Sequence, residues 1–327
     1  MYKVYYTSKH TDGVEFIIDT LSPDYELEIR PEHAGEDEEK LIAQCRQADV
    51  VVCDFEPFTR RVLEALPRLR LLQFTGVGFN EVDIEATRDL GIAVCNCPLY
   101  CKNEVADHAL ALMLAVNRRL FQYNKAVQED GVWASTVHPG LKAMRELTVG
   151  LAGFGTIPRE VAKRAQAFGA RVITYDPYVP AEAAEAEGVS KMELDDFLAQ
   201  SDYISCHLPA TPETIGFFNA EKFAKCKDGL VFVNTSRGLV VNEDDLVTAL
   251  DAGKVGFAAL DVLTDEHPDL KTHPLCHRDN VIITPHAAFY SASARRNGRL
   301  EAANSIMDYM EGRYDQAPIR NGVRGRK

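Results

Sequence analysis

Gly153-Phe154-Gly155-Thr156-Ile157-Pro158 stands between an apolar run and a helix-like stretch. A strand, a glycine turn and a helix N-terminus in that order turn backbone N–H groups and a positive dipole end towards an anion such as a pyrophosphate. Some twenty residues further on, at the end of the next apolar run, stands Asp176. A carboxylate there accepts hydrogen bonds from the ribose hydroxyls of NAD and repels the 2′-phosphate of NADP. Gly153, Gly155, Thr156, Ile157 and Asp176 are therefore candidate residues for holding NAD. The pattern departs from its usual form at Pro158, where a third small residue is normal. Proline is tolerated in a first helical turn because its missing N–H has no intrahelical partner there. The departure bears on how closely helix and strand pack, and so on how tightly the cofactor is held.

Three later segments carry ionisable residues at strand ends, where ligands of open α/β sheets bind. They are Asn234-Thr235-Ser236-Arg237-Gly238, Asp261-Val262-Leu263-Thr264-Asp265-Glu266 and Thr284-Pro285-His286-Ala287-Ala288. Alone, Arg237 reads as a surface charge, Glu266 as a loop acid and His286 as a capping or packed histidine. Cys95, Cys97 and Cys101 lie close enough in sequence to suggest a metal, but no Cys-x-x-Cys pair or nearby His completes a zinc-like spacing. They read better as a strand end running into a helix.

The elements that must position these residues alternate along the chain. Strands are expected at 2–6, 25–29, 50–53, 69–74 and 92–95, with helices at 36–45, 59–65 and 83–89, the first opening on the acidic stretch 36–39. A second series of strands runs 147–152, 171–175, 203–206, 230–234, 256–260 and 281–284. Helices fall between them at 159–168, 195–200, 220–225 and 243–252, the last with Asn242 as N-cap and Gly253 beyond its end. Such alternation implies parallel sheets with helices on both faces. Residues 105–120 read as a helix apolar nearly all round, hence buried, between two domains. Residues 121–146, with the only Trp, Trp133, are long for a structureless loop and suggest a subunit contact. A last helix, 292–309, is expected to return to the first domain.

The 327 residues are 46% hydrophobic and 26% charged, an ordinary globular balance, and the length suits two domains. With 49 acidic against 36 basic residues the net charge is −13, which disfavours nucleic acid and anionic membranes as partners. No apolar run is long enough for a membrane span, the N-terminus begins as a strand rather than a signal peptide, and eight Cys fit a reducing compartment. A cytoplasmic protein is expected, with no long regulatory tail beyond residues 320–327.

Together the motifs resemble the D-isomer-specific 2-hydroxyacid dehydrogenase family, over nearly the whole chain. The matching elements are the Gly153 turn, Asp176, the segment from His207-Leu208-Pro209 to Thr214, the Arg237 segment, the acidic loop ending at Glu266, and Pro285-His286. Thr75-Gly76-Val77-Gly78-Phe79-Asn80-Glu81-Val82-Asp83 looks like that family's substrate-carboxylate loop, although Asn80 and Glu81 stand where an Asp-Asn pair is usual. The run from Pro285 to Ser291, with Tyr175-Asp176-Pro177-Tyr178 and Gly91-Ile92-Ala93-Val94-Cys95-Asn96, also looks like the branch containing the C-terminal binding protein co-repressors.

The resemblance implies two doubly wound parallel-sheet domains with the active site in the cleft between them. One is a flavodoxin-like substrate domain of residues 1–99 plus 289–327; the other is a Rossmann NAD-binding domain of residues 100–288. It implies NAD-dependent interconversion of a D-2-hydroxy acid and its 2-keto acid, in a homodimer. Reduction of a keto acid builds negative charge on the keto oxygen, so a proton donor titrating near neutrality and a fixed cation are needed. By resemblance, His286 is the acid in reduction and the base in oxidation, and Glu266 holds its ring and favours the charged form. Arg237 grips the substrate carboxylate and polarises the carbonyl. The N–H groups of Val77 and Gly78 bind the other side of that carboxylate. His207, Leu208, Pro209, Thr214, Thr235, Ser236 and His286 join the cofactor set, with Asp261 at the carboxamide end of the nicotinamide. Arg60 and Arg61 could meet a substrate phosphate, or could simply be exposed helix-start arginines. The co-repressor branch suggests a rival, an NAD(H)-sensing interaction protein with little turnover.

Overall fold

Short runs of β-branched and aromatic residues, such as Val50-Val51-Val52-Cys53, are buried on both faces, which is the signature of strands in a parallel sheet covered by helices on each side. The computed structural model describes residues 1–30, 33–35 and 37–325. It divides into two compact units, Met1–Cys101 with Tyr290–Lys327, and Lys102–Phe289.

In the first unit β1 (Tyr2–Tyr6), β2 (Tyr25–Ile29), β3 (Val50–Cys53), β4 (Leu71–Phe74) and β5 (Ala93–Cys95) form one parallel sheet in the order β2-β1-β3-β4-β5. This is the flavodoxin-like order. The helices Glu38–Cys45, Arg60–Glu64 and Ile84–Leu90 start at Asp37, Thr59 and Asp83, whose side chains accept backbone N–H bonds from the first turn. The expected start at Glu36, part of the acidic stretch 36–39 and the last two residues of 320–327 lie outside the described residues. The helix Val14–Thr20 is not legible in the sequence: it is short, and it follows Gly13 without a side-chain cap. The helix Ala292–Met310, capped by Ser291, packs Ala303, Ile306 and Tyr309 against Val4, Tyr6, Ile17 and Val50, so the last helix does return to this unit.

The second unit holds β6 (Thr148–Ala152), β7 (Arg171–Tyr175), β8 (Ser190–Lys191), β9 (Tyr203–Cys206), β10 (Leu230–Asn234), β11 (Val255–Leu260) and β12 (Val281–Ile283). All are parallel, in the order β12-β11-β10-β9-β6-β7-β8. Numbered within the unit, this is the dinucleotide-binding order 3-2-1-4-5-6 with one further strand, and it reverses between β6 and β9. Register aligns the strand ends. Ala152 pairs with Tyr175 and with Cys206, Cys206 with Asn234, Asn234 with Leu260, and Leu260 with Ile283. Gly153, Asp176, His207, Thr235, Asp261 and Thr284 therefore leave the sheet in one row. Behind that row Phe232 meets Phe218 and Phe223 edge to face, and Phe218 and Phe223 stack on each other, in one buried cluster.

Three expectations about this unit are corrected. The long helix is Lys102–Asn117, after which Arg119, in a left-handed conformation, redirects the chain into a second helix, Leu120–Gln128. Residues 121–146 are thus partly helical, with two further short turns, Ser135–Val137 and Met144–Glu146. The helix after the glycine turn spans Thr156–Ala167 rather than starting at 159, because Pro158 sits inside its first turn, where no N–H is needed.

Candidate active site

The glycine turn requires glycine at its first position. Gly153 has φ of 93°, and a Cβ there would also meet the His207 carbonyl oxygen at 3.1 Å. Its N–H donates to Tyr175 O at 2.8 Å, which fixes the turn to the end of β7. Asp176 closes the same corner: Oδ2 accepts from Phe154 N–H at 2.8 Å, and Oδ1 accepts from Tyr178 N–H at 2.8 Å and Val179 N–H at 3.2 Å. The carboxylate is thereby held beside the turn. Gly155 caps the helix Thr156–Ala167, and a Cβ on it would meet nothing within 4 Å, so this side of the turn is open to a ligand that approaches the N–H groups of Thr156 and Ile157.

Across the switch point, His207 hydrogen-bonds Ser205 Oγ through Nε2 at 2.9 Å. Its residue surface is only half-buried, but desolvation of the ring pushes its pKa down to about 3, so it is neutral and serves as a fixed dipole. Leu208 is buried and Pro209 exposed. Thr214 commits its hydroxyl to Pro209 O at 2.5 Å and accepts Thr211 N–H at 2.8 Å, so it shapes this loop. Thr235 Oγ1, at the end of β10, is buried and has no hydrogen-bond partner among the described residues. An orphaned buried hydroxyl in a row with an open glycine turn and a fixed carboxylate fits a polar dinucleotide.

The Arg237 loop is organised by Asn234, a residue whose role sequence reasoning passed over. Asn234 Oδ1 accepts from Ser236 N–H at 3.0 Å and Ser236 Oγ–H at 2.8 Å, while its Nδ2 donates to Arg237 O at 2.9 Å. The short polar side chain two residues before a turn was the available signal. Arg237 itself donates to Ser236 O at 2.7 Å. Next to it, a Cβ on Gly238 would lie 2.0 Å from the backbone of Leu263, so this loop and the acidic loop touch at glycine.

His286 follows β12 in a left-handed conformation, φ 49°, and its Nδ1 lies 2.9 Å from Glu266 Oε2. Burial pushes the Glu266 carboxyl up, but the hydrogen bond and charge of His286, together with Arg237 and His267, outweigh it and hold the group below the usual carboxylate range. The geometry brings together histidine and glutamate, with arginine as an electrostatic neighbour. With Nδ1 engaged, Nε2 is the nitrogen left to exchange a proton.

In the first unit, Val77 and Gly78 follow β4. Val77 O accepts from Asn96 Nδ2 at 2.6 Å and Gly76 O accepts from Cys97 N–H at 2.9 Å, so the carbonyls of this turn are held on one side. Arg60 pairs with Asp89 at 2.8 Å, and Arg61 with Glu38 at 2.7 Å and with Glu39. The thiols of Cys95 and Cys97 are buried, which pushes the first up to about 12 and the second well above the usual thiol range. Cys97 Sγ lies 3.4 Å from Phe74 O and from Gly298 O.

Residues 110–288 match the family model described as D-isomer specific 2-hydroxyacid dehydrogenase, NAD binding domain. The D-3-phosphoglycerate dehydrogenase of Archaeoglobus fulgidus is 38% identical over 299 residues, 91% of this chain and 55% of the relative. The hydroxypyruvate reductase of Thermotoga maritima is 38% identical over 283 residues, 86% of this chain and 90% of the relative. Among solved structures, the D-lactate dehydrogenase from Aquifex aeolicus, complexed with NAD and lactic acid, superposes with a TM-score of 0.86 at 30% identity, covering 98% of this chain and 99% of that one. The chain spans about half the length of the phosphoglycerate dehydrogenases it matches.

Proposed function

Because the chain belongs to the D-isomer-specific 2-hydroxyacid dehydrogenase family, we propose that it interconverts a D-2-hydroxy acid and its 2-keto acid with NAD as cofactor. The observation that carries the reading is the 2.9 Å contact of His286 Nδ1 with Glu266 Oε2, within the unit that holds the glycine turn and Arg237. NAD, when bound, supplies or takes up the hydride. Gly153, Gly155, Thr156 and Ile157 would hold its pyrophosphate, Asp176 its ribose, and His207, Leu208, Pro209, Thr214, Thr235, Ser236 and Asp261 the remainder.

His286 Nε2 gives a proton to the carbonyl oxygen in reduction and takes it back from the hydroxyl in oxidation. Glu266 keeps the ring oriented and stabilises its charged form. Arg237 binds the substrate carboxylate through its planar fork and draws electron density from the carbonyl, and the N–H groups of Val77 and Gly78 are the carboxylate donors proposed for the first unit. A phosphorylated substrate is not favoured, since Arg60 and Arg61 are already matched by acids on their own surface.

The test is steady-state NADH oxidation with a panel of small 2-keto acids, phosphorylated and not. Turnover of at least one unphosphorylated member is expected. Tight NADH binding without turnover of any member would instead favour a dinucleotide-sensing interaction protein.

A further inference from the structure

The loop that carries His286 is tied on both sides of that residue to one buried side chain. Asp261, 1% exposed, accepts from Thr284 Oγ1 at 2.5 Å and Ala287 N–H at 2.9 Å on Oδ1, and from Ala288 N–H at 2.9 Å on Oδ2. Its main-chain carbonyl accepts His286 N–H at 2.8 Å. Residues on both sides of His286 are thus tied to a single carboxylate, and this matters because a left-handed φ in a non-glycine residue costs about 1–2 kcal/mol and persists only where the surroundings enforce it.

A second imidazole reaches this anchor from another element. His108, on the helix Lys102–Asn117, places Nε2 3.0 Å from Thr284 Oγ1 and 3.5 Å from Asp261 Oδ1. A threonine hydroxyl has one proton, and here it is directed to Asp261, so towards His108 it can only accept. His108 Nε2 therefore carries a proton and donates to Thr284, whose hydroxyl donates in turn to Asp261, while the amides of Ala287 and Ala288 donate to the same carboxylate from the far side of His286. That helix packs Ala106, Ala109 and Met113 against the core around Val161, Ala162 and Ala165, which makes it a rigid post.

We infer that His108 is a positioning residue for proton transfer at His286, acting through Thr284 and Asp261. It touches neither substrate nor cofactor in this role. Removing its donor frees Thr284 to turn away, weakens the hold on the amides of Ala287 and Ala288, and lets the His286 backbone relax out of its left-handed conformation. This rests on the dehydrogenase reading for its catalytic consequence, but not for the structural one.

The experiment compares His108→Leu with His108→Gln, whose amide keeps an N–H donor, on the full chain. His108→Leu is expected to lower kcat by roughly 10–100-fold, the range for removing a supporting partner of a site residue, with NADH affinity within about twofold of wild type. It should also speed hydrogen exchange at the amides of residues 286–288 by at least about tenfold, and His108→Gln should restore both. In a Thr284→Val background, His108→Leu should add little, because the link is already cut. Unchanged exchange and kcat in His108→Leu, or equal losses in the Leu and Gln variants, would overturn the inference. A wild type without turnover overturns the dehydrogenase reading alone, and the exchange measurement then still decides the role of His108.

Discussion

Glu266 is held below its ordinary pKa by His286, Arg237 and His267 against the upward push of burial, so the pair His286–Glu266 keeps its charged partner as acid is added until pH falls through that lowered value. Above it the carboxylate stays ionised beside the ring, and the acid–base role proposed for His286 requires the protonated ring for reduction. Reduction should therefore slow as pH rises through the titration of the ring, and oxidation, which needs the neutral ring, should show the mirrored limb. Glu266→Gln removes the charge and keeps the shape, so both limbs should move to lower pH in rate profiles, with reduction losing most at neutral and alkaline pH. Unmoved profiles would refute the role given to Glu266. Asp176 carries a second residue-scale consequence. Its carboxylate is fixed by three backbone donors beside the glycine turn, so NADP meets a negative charge that cannot swing away. The value of kcat/KM should be higher with NADH than with NADPH; equal or better use of NADPH contradicts this placement.

At the scale of elements, the Arg237 loop and the Glu266 loop meet where Gly238 passes the backbone of Leu263. Gly238→Ala puts a methyl where backbone atoms cannot yield, so the loops must separate. Activity should fall by more than tenfold in initial-rate assays while the helices and sheet persist by circular dichroism; near-normal activity would show that the contact does not set the Arg237 loop. Behind the strand-end row, Phe232→Ala empties the centre of the phenylalanine cluster and should cost about 3–5 kcal/mol in denaturant unfolding. The strands of both sheets except β8 were legible because parallel strands buried on both faces read as continuous apolar runs, whereas β8 is a two-residue, partly exposed edge strand with no such run; the glycine turn with Asp176 was legible because its spacing follows from the fold. Less was readable where tertiary context decides. The helix Val14–Thr20 lacks a cap signal, Leu120–Gln128 begins at a left-handed Arg119 that no sequence pattern announces, and His108 and Thr284 meet from elements far apart in the chain, whereas Asn234 acts locally, on its own turn.

At the scale of the molecule, the second unit leaves Leu120, Phe121, Val132 and Val137 exposed, with Trp133 90% exposed. Large apolar side chains gathered on one stretch mark an interaction surface, and a second copy of this chain is the proposed partner. Light scattering at micromolar concentration should give a dimer, and replacing Phe121 and Trp133 by serine should shift it to monomer. A monomeric wild type, or an unchanged assembly in the variant, speaks against that surface. Among the described residues no helix is long and apolar enough to cross a membrane. If a dinucleotide site and a histidine acid–base together make this chain a dehydrogenase, both halves are read at once by comparing wild type with His286→Gln on a turned-over keto acid while NADH binding is followed by fluorescence. NADH should still bind the variant, with turnover lower by roughly 10²–10⁴; turnover of the same keto acid at a near-normal rate by His286→Gln would contradict the acid–base role of His286.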